Sequence, residues 1–162
     1  KSKEELEYDW MGFKITDDNP VTAHHIKKTT DGGLNEENNI AILSYLAHRY
    51  LHEQIEVDDI EIYNKINDEL KRINESRKYP GLDDIKVIAS LLEEYETKYS
   101  KTLKRNLKIT RFNEKIIKKL PQGLDVYSPH DYRLILQMGI EPEYKKKKNV
   151  KQKKKIKGSY VS

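Results

Sequence analysis

The sequence predicts an α+β protein: a strand, loop, strand, helix unit over residues 1–56, a mainly helical extension over 57–143 and a flexible basic tail over 144–162. Three observations predict it. Two short apolar runs flank a Gly-Gly turn, apolar residues recur at three and four residue steps further on, and the last stretch holds lysines without acids.

Val21 to Ile26 is apolar-flanked and preceded by Pro20, which suits a first strand, and Ile40 to Leu43 suits a second. Between them Asp31-Gly32-Gly33 tolerates positive φ and lets the chain turn back. Ser44 is a good N-cap, and no Gly or Pro interrupts the run to Gln54, so a helix follows. Trp10, Phe13 and Ile15 are expected to pack this unit together against Ile42 and Leu46. Asp58 to Lys78 carries a core stripe of Ile60, Tyr63, Ile66, Leu70 and Ile73, stopped by Tyr79-Pro80-Gly81. Asp83 to Tyr99 repeats the pattern with Ile85, Ile88, Leu91, Leu92, Tyr95 and Tyr99. Ser128 as N-cap and Pro129 at the first helical position open a last helix to Met138, closed by Gly139, with His130 on its surface.

Four of the five histidines lie between Thr22 and Glu53. His48 and His52, four apart in the expected helix, stand on one face and can present two imidazole nitrogens to one point. A third nitrogen from His24, at the end of the first strand, gives three protein ligands with open positions, the pattern of a catalytic rather than a closed structural metal site. Adjacent strand residues point to opposite sides, so His25 does not serve the ion in the same way and is left to act as a base.

The elements His24-His25-Ile26, Gly32-Gly33, Asn39-Ile40 and His48-x-x-x-His52, in that order, resemble the HNH, or ββα-metal, endonuclease superfamily, and in particular the branch that includes the nuclease colicins and many phage enzymes. The resemblance covers about residues 10–55, roughly a third of the chain, and assigns nothing to the rest. It implies that His25 is the general base toward the attacking water. It implies that His24, His48 and His52 bind one divalent cation (Mg, Mn, Ni or Zn) which contacts the scissile phosphate and stabilises the leaving 3′ oxygen. Asn39, or Asn38 in an alternative register, would brace the loop and orient His25. Lys27, Lys28 and Arg49 are expected to help hold the phosphate. Many relatives add Cys-x-x-Cys pairs for a structural zinc, but Ser44 and Ala47 stand in those places and the chain has no cysteine. No zinc knuckle is expected, and the catalytic ion needs no thiol.

Hydrophobic and charged residues each make up 36%, with a mean hydropathy of -0.90, which indicates a charge-covered protein with a lean core. No apolar run approaches the roughly 20 residues of a membrane span, and the first residues do not read as a signal peptide, so no membrane and a cytoplasmic location are expected. Opening on Lys1 rather than Met, the chain is expected to be processed, trimmed or preceded by further residues. The net charge of +4 is unevenly spread. Nine lysines and no acids lie in 144–162, leaving 22 basic and 27 acidic side chains in 1–143. Such a tail suits sequence-independent contact with phosphates, and Lys101 to Lys119, with eight basic residues and one acid, suits a basic helix or pair of short helices. Residues 53–100 hold 13 acids and 7 bases and are expected to face away from nucleic acid. The expected function is metal-dependent hydrolysis of DNA. The rivals are a non-catalytic nucleic-acid-binding module on the same scaffold, and an interaction protein of a phage or defence system that docks through its acidic helices.

Overall fold

The computed structural model describes residues 6–76, 79–99, 110–111, 114–126 and 128–144. The lysine-rich stretch 145–162 and part of the basic segment 101–119 lie outside them. Two antiparallel strands, β1 (Val21–His25) and β2 (Ile40–Ser44), pair in a register that sets Val21 opposite Ser44 and His24 opposite Ala41. The helix α1 leaves β2 directly. It runs as an α segment Tyr45–Arg49, a wider π-helical segment Tyr50–Ile55 and a last α turn Glu56–Asp58. Ser44 Oγ accepts from Ala47 N at 3.2 Å, the N-cap that the sequence announces. α2 (Ile60–Ser76), α3 (Leu82–Lys98), a short α4 (Glu114–Lys119) and α5 (Pro129–Gln137) follow. The architecture is α+β.

The loop between the strands depends on both glycines for different reasons. Gly32 sits at φ +94° after a 3₁₀ turn Thr29–Asp31, as the Gly-Gly turn predicts. At Gly33 the constraint is space: a Cβ there would lie 1.8 Å from the Lys27 carbonyl oxygen. A second 3₁₀ turn, Glu37–Asn39, leads into β2.

Residues before β1 are fastened by two buried polar side chains. Asp9, 1% exposed, accepts from Met11 N (2.8 Å), Phe13 N (2.9 Å) and Ser44 N (2.7 Å). Asn19 accepts from Leu46 N at 2.7 Å and donates to the Lys14 carbonyl at 2.8 Å. Trp10, Phe13 and Leu46 join the core and Ile42 packs against it, as expected. Ile15 does not join; it is half-buried, in the strand-like crossing where its N–H meets the Glu7 carbonyl.

α2 lies across this hairpin. Its buried stripe is Ile62, Tyr63, Ile66, Leu70 and Ile73, while Ile60, expected in it, is exposed. Six residues before Ile66, Ile60 stands about 240° round the helix and faces out. Asp59 caps the helix, accepting from Glu61 N and Ile62 N at 3.0 and 3.1 Å, and its other oxygen takes Lys98 Nζ and Tyr99 OH. Two amides on the inner face dock α2 on the strands: Asn67 donates to the Ile26 carbonyl at 2.7 Å, and Asn74 to the Glu37 and Ile40 carbonyls at 2.9 and 2.7 Å. α3 packs on α2 through Ile88, Leu92 and Tyr95, and a buried Glu96–Arg133 pair joins it to α5. The last helix begins as the sequence indicates, with Ser128 Oγ accepting from Asp131 N and Pro129 in the first turn; His130 is half exposed. The expectation of helix alone over 101–119 is corrected in one place. Thr110–Arg111 forms a two-residue strand, β3, paired with β4 (Glu143–Tyr144). Such a short ladder is set by its distant partner and has no local periodicity to announce it. Among the described residues no helix is long and apolar enough to cross a membrane.

Candidate metal centre

β1 delivers His24 and α1 delivers His48 and His52 to one interior point. One ligand atom from each of the three lies within 4.8 Å of the others. The rings stand edge to face or tilted, with centroids 4.9 to 5.3 Å apart. His24 is fully buried and His48 is 3% exposed.

Hydrogen bonds on the outer side of each ring decide which nitrogen faces inward. Thr22 Oγ1 gives its only proton to the Leu43 carbonyl at 2.8 Å, so toward His48 Nδ1, at 3.1 Å, it can only accept. His48 therefore carries its proton on Nδ1 and leaves Nε2 bare. His52 Nδ1 meets the Glu56 carboxylate at 2.7 Å, again an acceptor, and Nε2 is the unprotonated nitrogen. His24 Nε2 meets Asn67 Oδ1 at 2.8 Å and keeps Nδ1 unprotonated. Burial holds two of the imidazoles neutral, pulling His24 down to about 4 and His48 to about 3, with the neighbouring histidines adding to the effect.

His24 Nδ1 and His48 Nε2, both without protons, then face each other at 3.4 Å. Two lone pairs at that separation make no hydrogen bond. Nitrogens that share a tetrahedral cation at about 2.0–2.1 Å stand about 3.3–3.4 Å apart. The donor set fits a divalent ion of the imidazole-preferring kind, and outer acceptors on all three ligands are what such centres use to orient their histidines. Glu56 is itself secured. Against the upward push of burial, His52 and Lys28 hold its carboxyl below the usual range, and Lys28 pairs with its second oxygen.

His25, next to His24 on the strand, turns away from the three ligands. Its Nε2 lies 3.2 Å from Asn35 Oδ1, and Nδ1 is shielded from solvent without a hydrogen-bond partner. With Asn35 accepting, the proton sits on Nε2 and the lone pair on Nδ1. Asn39 closes the loop that presents this histidine: its Oδ1 accepts from Lys27 N at 2.8 Å, and its Nδ2 donates to the Lys27 and Leu34 carbonyls at 3.0 and 2.9 Å. Asn38 is exposed and takes no part in that closure.

The three basic residues expected near phosphate are placed differently from one another. Lys27 is exposed beside Gly32. Lys28 is engaged by Glu56 and lies over the Tyr63 ring at 5.6 Å. Arg49 is a correction. It is 8% exposed and bonded to Glu53, Glu141 and the Tyr45 hydroxyl, because the residue next to His48 on a helix faces a different neighbour, here the chain after α5. A cleft of about 710 Å³ between the 27–39 loop and α2 borders the centre, but its carboxylates Asp31, Glu36, Glu56, Asp68 and Glu75 outnumber Lys27, Lys28 and Lys71. It is the wrong sign for a phosphate backbone.

Sequence reasoning found the three inward histidines and missed every group behind them: Thr22, Asn35, Glu56 and Asn67. Glu56 had a signal, four residues after His52 on the same helix face. No family profile, no curated protein and no solved structure matches this chain.

The neutral histidines make the metal-free protein acid-sensitive. Folded His24 and His48 refuse protons that the unfolded chain takes up near pH 6.5, so stability falls as pH drops below 6.5 toward their folded values. Asp9, whose carboxyl burial pushes up to about 6, works in the opposite sense between about 4 and 6. From these three groups the net loss between pH 7 and pH 4 is on the order of 4 kcal/mol. Urea unfolding in EDTA at the two pH values reads it, and equal stabilities would contradict the buried neutral pair.

Proposed function

We propose that the protein is a metal-dependent endonuclease of the HNH, or ββα-metal, class, hydrolysing DNA phosphodiester bonds, with residues 10–55 as its ββα-metal core. The observation that carries the reading is the division of labour among four histidines. Three turn unprotonated nitrogens to one point, and the fourth holds an unpartnered Nδ1 lone pair from the adjacent strand position. In this reading His25 receives the proton of the attacking water. Asn35 holds its Nε2, and Asn39 keeps the 27–34 segment folded around it. His24, His48 and His52 are the residues that would hold a divalent cation, and the chemistry supplied by that ion when bound is Lewis-acid stabilisation of charge at the scissile phosphate and leaving oxygen. Lys27 is exposed toward incoming phosphate, and Lys28 reaches it by exchanging Glu56 for a phosphate oxygen. Arg49 has no part.

The test is a supercoiled plasmid assay with EDTA-stripped protein reloaded separately with Mg, Mn, Ni or Zn. Nicked or linear product with at least one metal, and none in EDTA, is the expected result. Binding of the plasmid without cleavage under every metal would replace the enzyme by the non-catalytic module.

A further inference from the structure

We infer that Asn67, on α2, is a positioning residue of the metal centre, setting which nitrogen of His24 faces the ion. The inference rests on His24 being a metal ligand and not on the protein being a nuclease.

It begins from a group with no choice. The backbone carbonyl of Ile26 can only accept, and Asn67 Nδ2 lies 2.7 Å from it. That contact fixes the amide: Nδ2 points to Ile26, so Oδ1 points to His24 Nε2 at 2.8 Å. An oxygen there requires Nε2 to carry the proton, and a neutral imidazole has one proton only. Nδ1 is then bare, and Nδ1 is the atom that stands 3.4 Å from His48 Nε2. Rotating the amide by half a turn would place an NH₂ against Nε2 and an oxygen against the Ile26 carbonyl. Nε2 would have to accept, the proton would move to Nδ1, and His24 could no longer offer that atom to a cation. A carbonyl two residues further along the chain, just past β1, thus determines the tautomer of His24 through one side chain of a different element.

The geography matters as much as the chemistry. Thr22 and Glu56, the outer acceptors for His48 and His52, come from β1 and from α1 itself. Asn67 comes from α2, beyond the strand, loop, strand, helix unit, and is held in place by the docking that Ile66, Leu70 and Asn74 provide. The helical extension is in this way a component of the centre, and metal loading is linked to the seating of α2.

The full chain with ¹⁵N-labelled histidine, metal-free and near pH 7, reports the tautomer by long-range ¹H–¹⁵N correlation, and calorimetry with Zn²⁺ reports affinity. In the wild type His24 is expected as the Nε2–H form. Asn67→Ala should give a mixture of tautomers and weaken Zn²⁺ binding about 10–100-fold, whereas Asn67→Asp, which loses the bond to the Ile26 carbonyl but keeps an acceptor at Nε2, should hold His24 in the Nε2–H form. An Nδ1–H His24 in the wild type would overturn the inference. So would Zn²⁺ affinity unchanged in Asn67→Ala, or, should that variant not fold, an Nδ1–H His24 in Asn67→Asp. Absence of Zn²⁺ binding by the wild type would overturn it together with the metal centre, while unchanged affinity in Asn67→Ala overturns it alone.

Discussion

Replacing His25 with alanine is expected to reduce plasmid cleavage by about 10²–10⁴-fold, the range a positioned general base contributes, while leaving metal affinity nearly as in the wild type. The reason lies in how the strand splits its two histidines. His24 is fully buried among the ligands, whereas the His25 ring leans on Asn35 and keeps Nδ1 out of that cluster. His52→Ala should behave the other way round: metal affinity itself falls, and cleavage falls with it. Calorimetry and the plasmid assay on the same two variants separate the roles. Equal loss of metal affinity in both would merge His25 into the ligand set, and cleavage by His25→Ala within tenfold of wild type would remove it as the base.

Asp9→Ala should be among the most destabilising single substitutions in the chain. It strips the acceptor from three N–H groups, those of Met11, Phe13 and Ser44, in a place 1% exposed to solvent. Each orphaned donor costs about 1–3 kcal/mol, so about 3–9 kcal/mol is expected against a total stability of about 5–15 kcal/mol for a domain. Ser44 is also the residue at which β2 becomes α1, four positions before His48, so the loss falls on the joint that aims the ligands. Urea unfolding at pH 7 measures the effect. A shift below about 1 kcal/mol would mean that water replaces the carboxylate at these amides.

What the sequence made legible is what short-range spacing encodes. β1, β2, the Ser44 and Ser128 caps and the stripes of α2 and α3 all follow from periodicity or from a single residue's turn chemistry. The three inward histidines were legible for the same reason, a helix pair four apart and one strand end. The groups behind them were not, because an outer acceptor is defined by where another element lands. Asn67 and Asn74 did leave a trace: they interrupt the inner face of α2 beside Ile66, Leu70 and Ile73, and a polar amide on a core stripe asks for a buried backbone partner. Asp9 left none, since nothing near it in the chain points to Ser44. Gly33 was placed in the turn for its tolerance of positive φ, whereas its requirement is the absence of a Cβ against the Lys27 carbonyl. Arg49 was expected to help hold the phosphate, and in the structure it pairs with Glu141, a residue far along the chain that no local spacing points to.

The wide segment Tyr50–Ile55 gives α1 two unequal halves. Glu56 N donates to the Leu51 carbonyl, five residues back, a rare ladder spacing, whereas His48 belongs to the α-helical turns anchored at Ser44. Amide exchange in α1 should therefore begin in the wide segment and spread toward Asp58. Were a cation held by the three histidines, one of its two helical ligands would stand on a regular turn and the other on the wide one.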